Sequence, residues 1–321
     1  MTLFRTLLSN VCFNDCAYCP LRSEADPPRA SLSPEEVARL FMALFRRGEV
    51  EGLFLSSAAF GPADTVMERL IACARILREE EGFSGYLHLK VIPGASPEAI
   101  AEAARLANAL SLNIEAPKES YLSLLSRRKR FREDIVAGLK RIAEVKEALR
   151  RRGRALSQTT QFIVGAAGED DASLIRTTEA LYRKLGLNRV YFSAYQPGLG
   201  RPDLPGEKLA LRKNLLTREH RLYQVDFLLR QYGFRAAEIP LEGGFLPLDK
   251  DPKEAWARAH PEFFPVNVNK ASYLELLRVP GIGPTTAKRI LAARREGKIR
   301  ALEPFITQPK RLAKAMTYVV F

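Results

Sequence analysis

Three of the four cysteines in this 321-residue chain lie close together near its N-terminus. They are Cys12, Cys16 and Cys19, in the stretch NVCFNDCAYCP, whereas Cys73 follows much later in an apolar helical pattern. Thiolates are soft ligands that favour iron–sulfur clusters or zinc. A structural zinc site needs four protein ligands that fill the coordination sphere of the metal. These cysteines supply three, and no histidine lies near them. The triplet therefore favours an iron–sulfur cluster with one iron left open for another ligand.

The elements that must position these thiols form an alternating pattern. Short apolar runs predict six strands, and amphipathic stretches between them predict helices, two of which open with the capping residues Ser33 and Ser96. The predicted strands are RTLLSN, LFLSS, YLHLKVI, LSLNIEA, TTQFIVG and RVYFSAY. Such a series predicts a parallel α/β sheet, either doubly wound or a partial barrel. The cysteines follow the first strand, at the end where α/β barrels hold their active sites.

Beyond the sheet the chain changes character. Residues 196–213 are rich in Pro and Gly and predict a long loop, and a helix follows at 217–234. Its side chains are either substrate contacts (Arg218, His220, Arg221, Tyr223) or packing residues (Leu222, Val225, Leu228, Leu229). An irregular stretch and a short helix around Trp256 come next, and then a compact basic unit. These features predict three parts: a barrel at 1–215, a connecting helix and linker at 216–262, and a small domain at 263–321.

The positive charge is concentrated in two places. The net charge is +13, yet residues 121–154 carry twelve basic and four acidic side chains, and residues 266–321 carry eleven and three. This imbalance is typical of a protein that binds a polyanion. A thermophile-like surface explains the general richness in Arg and Glu, but it does not explain the two patches.

The N-terminal sequence has no secretory character. MTLFRTLLSN is short and is interrupted by Arg5 and Asn10, and the chain has no apolar run of about twenty residues. We therefore expect a cytoplasmic protein, in which thiols stay reduced and clustered cysteines bind metal.

A second motif lies in the basic unit. A helical pattern at 269–278 ends at Pro-Gly-Ile-Gly, and another begins at Pro284 or Thr285. Gly281 and Gly283 allow a tight turn and a close approach to a partner, and Ile282 is expected to fill the small core. The amides that begin the second helix favour an anion. The predicted phosphate-binding set is Gly281, Ile282, Gly283, Thr285, Thr286, Lys288 and Arg289. This stretch resembles the helix-hairpin-helix DNA-binding motif. Many such motifs occur in pairs, but the corresponding second stretch at 303–316 lacks the glycines. The alternative interpretation of the first stretch is an ordinary helical hairpin or a protein-interaction module.

The spacing of the cysteines, with Tyr18 before the third, resembles the signature of the radical S-adenosylmethionine (SAM) enzymes. The resemblance implies a partial (β/α)6 TIM-type barrel, a 4Fe–4S cluster held by the three cysteines, and reductive cleavage of SAM to a 5′-deoxyadenosyl radical. It also implies a cofactor site on the later strands. Ser56 and Ser57 stand where the superfamily often has Gly-Gly-Glu, so that contact differs here. The expected cofactor-binding residues are Tyr18, Ser56, Ser57, Lys90, Asn113, Glu115, Ile163, Gly165 and Tyr191. As an alternative, these polar side chains satisfy one another inside the barrel.

Stretches over nearly the full length resemble one family of DNA modification or repair radical SAM proteins; they include TLLSNVCFNDCAYCPLR, GYLHLKVIPGAS and HPEFFPVNVN with PGIG. This resemblance implies action on a base or lesion of DNA, an electron donor such as ferredoxin or flavodoxin, and a uracil-DNA-glycosylase-like partner. Two alternatives stay open: an RNA-modifying radical enzyme, and a DNA-binding protein whose cluster is not catalytic.

Overall fold

The computed structural model describes residues 1–208 and 214–321, and within them six strands form one parallel sheet in sequential order. A doubly wound sheet reverses its strand order at a switch point, whereas here each strand pairs with the next one in the chain. The partial barrel is therefore confirmed, and the doubly wound alternative is wrong. The strands are β1 (Leu3–Leu7), β2 (Gly52–Ser56), β3 (Tyr86–Lys90), β4 (Ala109–Ser111), β5 (Ser157–Val164) and β6 (Arg189–Ala194).

Helices connect successive strands. The α1 helix begins with a capping box, because the Ser33 side chain accepts from the backbone N–H of Glu36 while the Glu36 side chain accepts from the N–H of Ser33. The Ser96 side chain likewise accepts from the N–H of Ala99 at the start of α3. These helices are α1 (Pro34–Arg46), α2 (Ala63–Arg75), α3 (Pro97–Leu106), α4 (Glu119–Leu125), α5 (Ala137–Arg151) and α6 (Asp171–Leu185). Single π-helical segments lie at Ile76–Glu80 and Phe131–Val136.

The strands alternate between an apolar and a polar face. Leu53 and Leu55 on β2, and Leu87 and Leu89 on β3, are completely buried. The residues between them point to the other face of the sheet, because successive side chains of a strand alternate. On β3 these are Tyr86, His88 and Lys90, so the inner face of the barrel carries polar groups.

The predicted fourth strand ends earlier than its apolar pattern indicated. LSLNIEA predicted a strand to Ala116, but β4 stops at Ser111. Glu115 has a φ of 63°, a left-handed conformation that a regular strand does not contain. The chain rejoins the sheet only through a parallel bridge between Glu115 and Phe162. As a result, the predicted cofactor residues Asn113 and Glu115 lie on a segment that follows the strand.

The C-terminal region is helical, as predicted, with one small strand pair. The strands β7 (Val266–Asn267) and β8 (Val319–Val320) pair in parallel. The helices are α7 (Leu215–Gln231), α8 (Pro252–Ala259), α9 (Tyr273–Arg278), α10 (Pro284–Ala293) and α11 (Pro309–Met316). Their apolar core includes Ile282, which is 1% exposed, together with Leu276 and Ile290.

The chain divides into two compact units. One contains Met1–Glu169 and Ala180–Leu215, and the other contains Asp170–Glu179 and Leu216–Phe321. The division into 1–215, 216–262 and 263–321 stays a prediction. The predicted loop at 196–213 contains a short 3-10 helix, Pro205–Glu207, and its residues 209–213 lie outside the described part. Among the described helices, none has the length and apolar character needed to cross a membrane.

Candidate active site and nucleic-acid interface

The cysteine loop follows β1 and is fixed by backbone hydrogen bonds. The N–H of Ala58 donates to the carbonyl of Ser9 at 2.8 Å, and the N–H of Phe13 donates to the carbonyl of Ala59 at 2.7 Å. On the other side, the N–H of Ala17 donates to the carbonyl of Leu125 at 2.7 Å. The loop is therefore held between the segment after β2 and the end of α4.

Arg29 holds the same loop from within. Its guanidinium donates to the backbone carbonyls of Asn10, Leu21, Arg22 and Ala25 at 2.6–3.0 Å. Carbonyls of an irregular loop need partners when they leave water, and one planar cation with several N–H donors satisfies four of them. Arg29 was not predicted as a site residue, because nothing in the local sequence pattern distinguishes it from a surface arginine.

A further anchor joins the loop to the basic segment 121–154. The buried Asp15 carboxylate accepts from the Ser126 hydroxyl at 2.5 Å and from the N–H of Arg127 at 3.0 Å. Burial works against the charged form of Asp15, but these hydrogen bonds hold its pKa below the ordinary value. Part of the segment predicted to bind a polyanion thus has a structural role beside the cysteines.

The three cysteines and most of the predicted cofactor residues line one cavity of about 280 Å³ at the C-terminal ends of the strands. Gly165 and Tyr191 are not in its lining. Gly165 instead donates its N–H to the Glu169 carboxylate at 2.5 Å, and Tyr191 lines a separate cavity further inside the barrel. The predicted residues that the cavity brings together are Cys12, Cys16, Tyr18, Cys19, Ser56, Ser57, Lys90, Asn113, Glu115 and Ile163.

A buried ion pair lies beside the thiols in this cavity. The Lys129 ammonium lies 3.2 Å from the Glu115 carboxylate, and both side chains are less than a tenth exposed. Glu115 also accepts from the Asn113 amide at 3.4 Å, and the nearby Tyr18 hydroxyl helps to lower the pKa of Glu115. Burial works against its charge, but Lys129 and Lys90 hold the pKa of Glu115 below its ordinary value. Burial works against the charge of Lys129 as well, yet Glu115 and Cys16 raise its pKa. The pair is therefore ionic.

Lys129 was not predicted as a site residue. It is one of the basic residues in the run Arg-Arg-Lys-Arg, and only the fold distinguishes it from its solvated neighbours.

Several other cations of the segment 121–154 have partners on the protein. Arg154 donates to the carbonyls of Ala104 and Ala107, and Lys146 donates to the carbonyl of Gly186. These contacts weaken the case for this segment as a polyanion-binding patch.

The donor set fits a cubane iron–sulfur cluster. Burial raises the pKa of the Cys16 thiol, and the nearby Lys129 cation partly offsets this effect. Burial also raises the pKa of Cys19. No three His, Cys, Asp or Glu side chains of the described residues are arranged around a single metal ion. Three thiolates that each bind a different iron of a cubane do not need to converge on one point, so the arrangement suits a cluster better than a zinc ion.

Cys73 lies elsewhere. It is completely buried in α2, and burial raises its pKa to about 12. It does not line the cavity that contains the other three cysteines. The structure therefore assigns it to the apolar core, as its helical pattern indicated.

The second candidate site is the hairpin between α9 and α10. Gly281 has a φ of 89°, and a Cβ added there would lie 2.5 Å from the Arg311 carbonyl oxygen. Glycine is thus required for the turn and for contact with α11. Pro280, Gly281, Ile282 and Gly283 line a cavity of about 480 Å³.

The cations around this hairpin differ from those predicted. Thr286 is buried, and Arg289 donates to the carbonyls of Pro304 and Phe305. Thr285 and Lys288 are exposed. The basic side chains that line the hairpin cavity come from the supposed degenerate copy and from α8; they are Lys253, Lys310, Arg311 and Lys314. The run Pro-Lys-Arg-Leu-Ala-Lys was the available sequence signal.

Lys253 fixes the hairpin. Its ammonium, 4.7 Å from the centre of the Tyr232 ring, donates to the Ile282 carbonyl at 2.5 Å. Burial lowers the pKa of Lys253 to about 7. The buried amine therefore fixes the turn that lines the cavity.

The α7 helix is a packing element. Leu222, Val225 and Leu228 are buried, and Arg218 pairs with Asp171 at 2.7 Å. Arg221 donates to the Leu248 carbonyl. Two of the proposed substrate contacts are thus occupied within the protein.

Comparisons with known proteins agree with this description. Residues 6–181 match the family model described as the Radical SAM superfamily, and residues 263–309 match a helix-hairpin-helix motif, which confirms that predicted motif. Methylornithine synthase (PylB) aligns with a TM-score of 0.55 at 17% identity, over 71% of this chain and 61% of its own. The FeFe-hydrogenase maturase HydG from Carboxydothermus hydrogenoformans gives 0.54 at 17% identity, over 71% and 52%. The chain thus spans about half to three fifths of these structures, and the likeness shows the fold. No curated protein sequence matches it.

We expect Cys12→Ala to lose most of the cluster and Cys73→Ala to keep it, because only Cys12 lies in the cavity with the other two thiols. Anaerobic iron and sulfide analysis should give about four of each for the wild type and for Cys73→Ala. Equal loss of iron from both variants would mean that Cys73 is a fourth protein ligand.

We expect the C-terminal unit to become more stable as the pH rises from about 7 towards 10. The folded state releases the Lys253 proton near pH 7, whereas the unfolded chain keeps it up to a pKa of about 10.4. The unfolded state then binds more protons, so the free energy of unfolding increases with pH.

Trp256, the only tryptophan of the chain, lies in α8 and reports this transition by fluorescence. Thermal unfolding should depend less on pH in Lys253→Met than in the wild type or in Lys298→Met, a control at an exposed position of the same unit. An unchanged pH dependence in Lys253→Met would contradict the assignment of the proton to Lys253.

Proposed function

Because this chain belongs to the radical SAM superfamily, we propose that it is an enzyme that cleaves SAM reductively and acts on a base or lesion of DNA. This proposal is based mainly on the cavity in which three thiols lie beside Asn113 and the Glu115–Lys129 pair. The DNA assignment rests on the helix-hairpin-helix motif in the same chain.

The superfamily uses a 4Fe–4S cluster and SAM, so both predicted cofactors are confirmed. When bound, the cluster supplies the electron that cleaves the sulfonium of SAM. The residues of this chain then have distinct tasks. Cys12, Cys16 and Cys19 hold the cluster, while the Glu115 carboxylate and the Asn113 amide offer an acceptor and a donor to the cofactor's amino, carboxylate or hydroxyl groups.

The Glu115–Lys129 pair has a second consequence for the cavity. A lone carboxylate buried beside thiolates would repel them, and Lys129 compensates for this charge at 3.2 Å. The positive charge of Lys129 also works against the rise in the pKa of the nearby Cys16 thiol. We propose that Lys129 balances the negative charge of both the carboxylate and the thiolate-bound cluster.

The hairpin cavity supplies the contact with nucleic acid. It is lined by four basic side chains, by the single carboxylate Asp251 and by the turn before α10. The first amides of a helix have no intrahelical acceptor, and with the helix dipole they favour phosphate. Contacts of this kind position a duplex without reading its bases, so we expect affinity with little sequence preference. An electron donor such as ferredoxin or flavodoxin and a uracil-DNA-glycosylase-like partner stay predictions.

We expect the anaerobically reconstituted wild type to release 5′-deoxyadenosine from SAM in the presence of dithionite. Asn113→Ala should reduce the apparent affinity for SAM by about tenfold, the effect of losing roughly 1.4 kcal/mol of hydrogen bonding. Cys73→Ala is the matched control and should behave as the wild type does. Absence of 5′-deoxyadenosine under every reductant and nucleic acid tried would favour a cluster without catalysis.

We expect Lys310→Gln, at the hairpin cavity, to weaken binding of duplex DNA and to lower the slope of log K against log salt by about one. Lys140→Gln, in the basic segment 121–154, is the matched control and should leave the slope unchanged. Binding isotherms at several salt concentrations measure both. A loss confined to Lys140→Gln would move the DNA site to that segment, and tighter binding of tRNA than of duplex DNA at matched salt would favour an RNA substrate.

A further inference from the structure

A second cavity lies inside the half-barrel, closer to the N-terminal ends of the strands than the cysteine cavity. We call it the inner cavity; it has a volume of about 150 Å³, and its lining comes from all six strands or the segments that follow them. Arg5, Phe54, His88, Ser111 and Tyr191 are among the lining side chains. Nothing in the cluster chemistry described above uses these residues.

Two polar atoms of this lining are left unsatisfied. The Nε2 of His88 and the Oγ of Ser111 are buried and have no hydrogen-bond partner among the described residues. The two residues are 6% and 5% exposed. Buried polar atoms in folded proteins are nearly always hydrogen bonded, so two unpaired atoms in one cavity indicate a ligand that completes them.

The lining combines ring faces, neutral hydrogen-bonding groups and the two cations Arg5 and Lys90. The His88 and Phe54 rings lie 4.2 Å apart between centroids, and the Tyr86 hydroxyl lies 3.4 Å from Nδ1 of His88. Burial lowers the pKa of His88 to about 3, which leaves the imidazole neutral, with one nitrogen as donor and the other as acceptor. Ser111 and Thr159 add hydroxyls, and the lining contains no carboxylate.

The inner cavity adjoins the cysteine cavity. Lys90, Asn113 and Gln161 line both. A group held in the inner cavity therefore lies next to the place where the cofactor would be cleaved. The volume is below the roughly 300–1,000 Å³ of ordinary small-molecule sites, so it has room for a single ring system and not for a nucleotide.

We propose that the inner cavity receives one nucleobase, extruded from its strand, as the substrate group. This proposal rests on the proposed function only in that nucleic acid supplies the base. Enzymes that act on a base must take it out of the stack, and they hold it by stacking on aromatic rings and by hydrogen bonds to its edge. Phe54, Tyr86 and Tyr191 provide the rings, while His88 and Ser111 provide the unpaired groups for the edge.

In the test, the full-length protein is photo-crosslinked to short duplexes. Each duplex contains one 5-iodouracil in a mismatch, because a mismatched base costs least to extrude. Peptide mass spectrometry should find the crosslink on Tyr86, which is less exposed than Tyr191, the other tyrosine of the lining. Ser111→Leu fills the cavity and should reduce this crosslink by about tenfold or more, while duplex affinity, set elsewhere, stays the same. Ser123→Leu, an exposed position on α4, is the matched control.

Each other outcome overturns the proposal in its own way. Crosslinks found only within 263–321, with the duplex still bound, would leave the DNA function intact but reject the base site. Suppression of the barrel crosslink by inorganic phosphate at concentrations that leave the duplex bound would show an anion site. Failure to bind any duplex would reject both the base site and the proposed function. Should Ser111→Leu fail to fold, judged by cluster content, Ser111→Ala serves instead, with a smaller loss expected.

Discussion

The alternation of side chains along parallel strands is the constraint on which this molecule depends. Each strand must bury one face under helices, so leucines such as Leu53, Leu55 and Leu87 occupy one set of positions completely out of water. The side chains at the alternate positions face the inside of the half-barrel. If all of them were apolar, they would form more hydrophobic core and no polar site. Here the inward positions of β3 carry Tyr86, His88 and Lys90. The polar lining of the inner cavity therefore results from the alternation of side chains along the strands.

Charge balance is the second constraint, and it acts at the C-terminal ends of the strands. Glu115 is buried in a left-handed conformation, which costs free energy for a residue with a side chain. Such strain persists where surrounding contacts fix it, and here both Lys129 and Asn113 contact the carboxylate. The same Lys129 reaches Cys16. One buried cation thus couples a strained backbone position to the cysteine loop.

The sequence predicts the fold and part of the site well because both depend on local patterns. Apolar periodicity locates all six strands. The spacing of the three cysteines predicts metal ligands without any knowledge of the fold, and the structure places all three in one cavity. Residues whose role depends on distant contacts escape this reasoning. Lys129 is buried only because the loop after α4 meets the cysteine loop, and Arg311 reaches the hairpin only because α11 packs against Gly281. The early end of β4 at Ser111 likewise depends on the conformation of Glu115, not on the apolar run.

The contacts of Arg29 have a consequence for how the protein matures. Many small metal sites are disordered until the metal binds, so that metal affinity and folding are one equilibrium. Here the loop that carries the thiols is held by four carbonyl bonds to one guanidinium and by backbone bonds to neighbouring segments, none of which involves sulfur. We therefore expect the chain to fold without the cluster, and a chain that loses its cluster by oxidation to accept a new one.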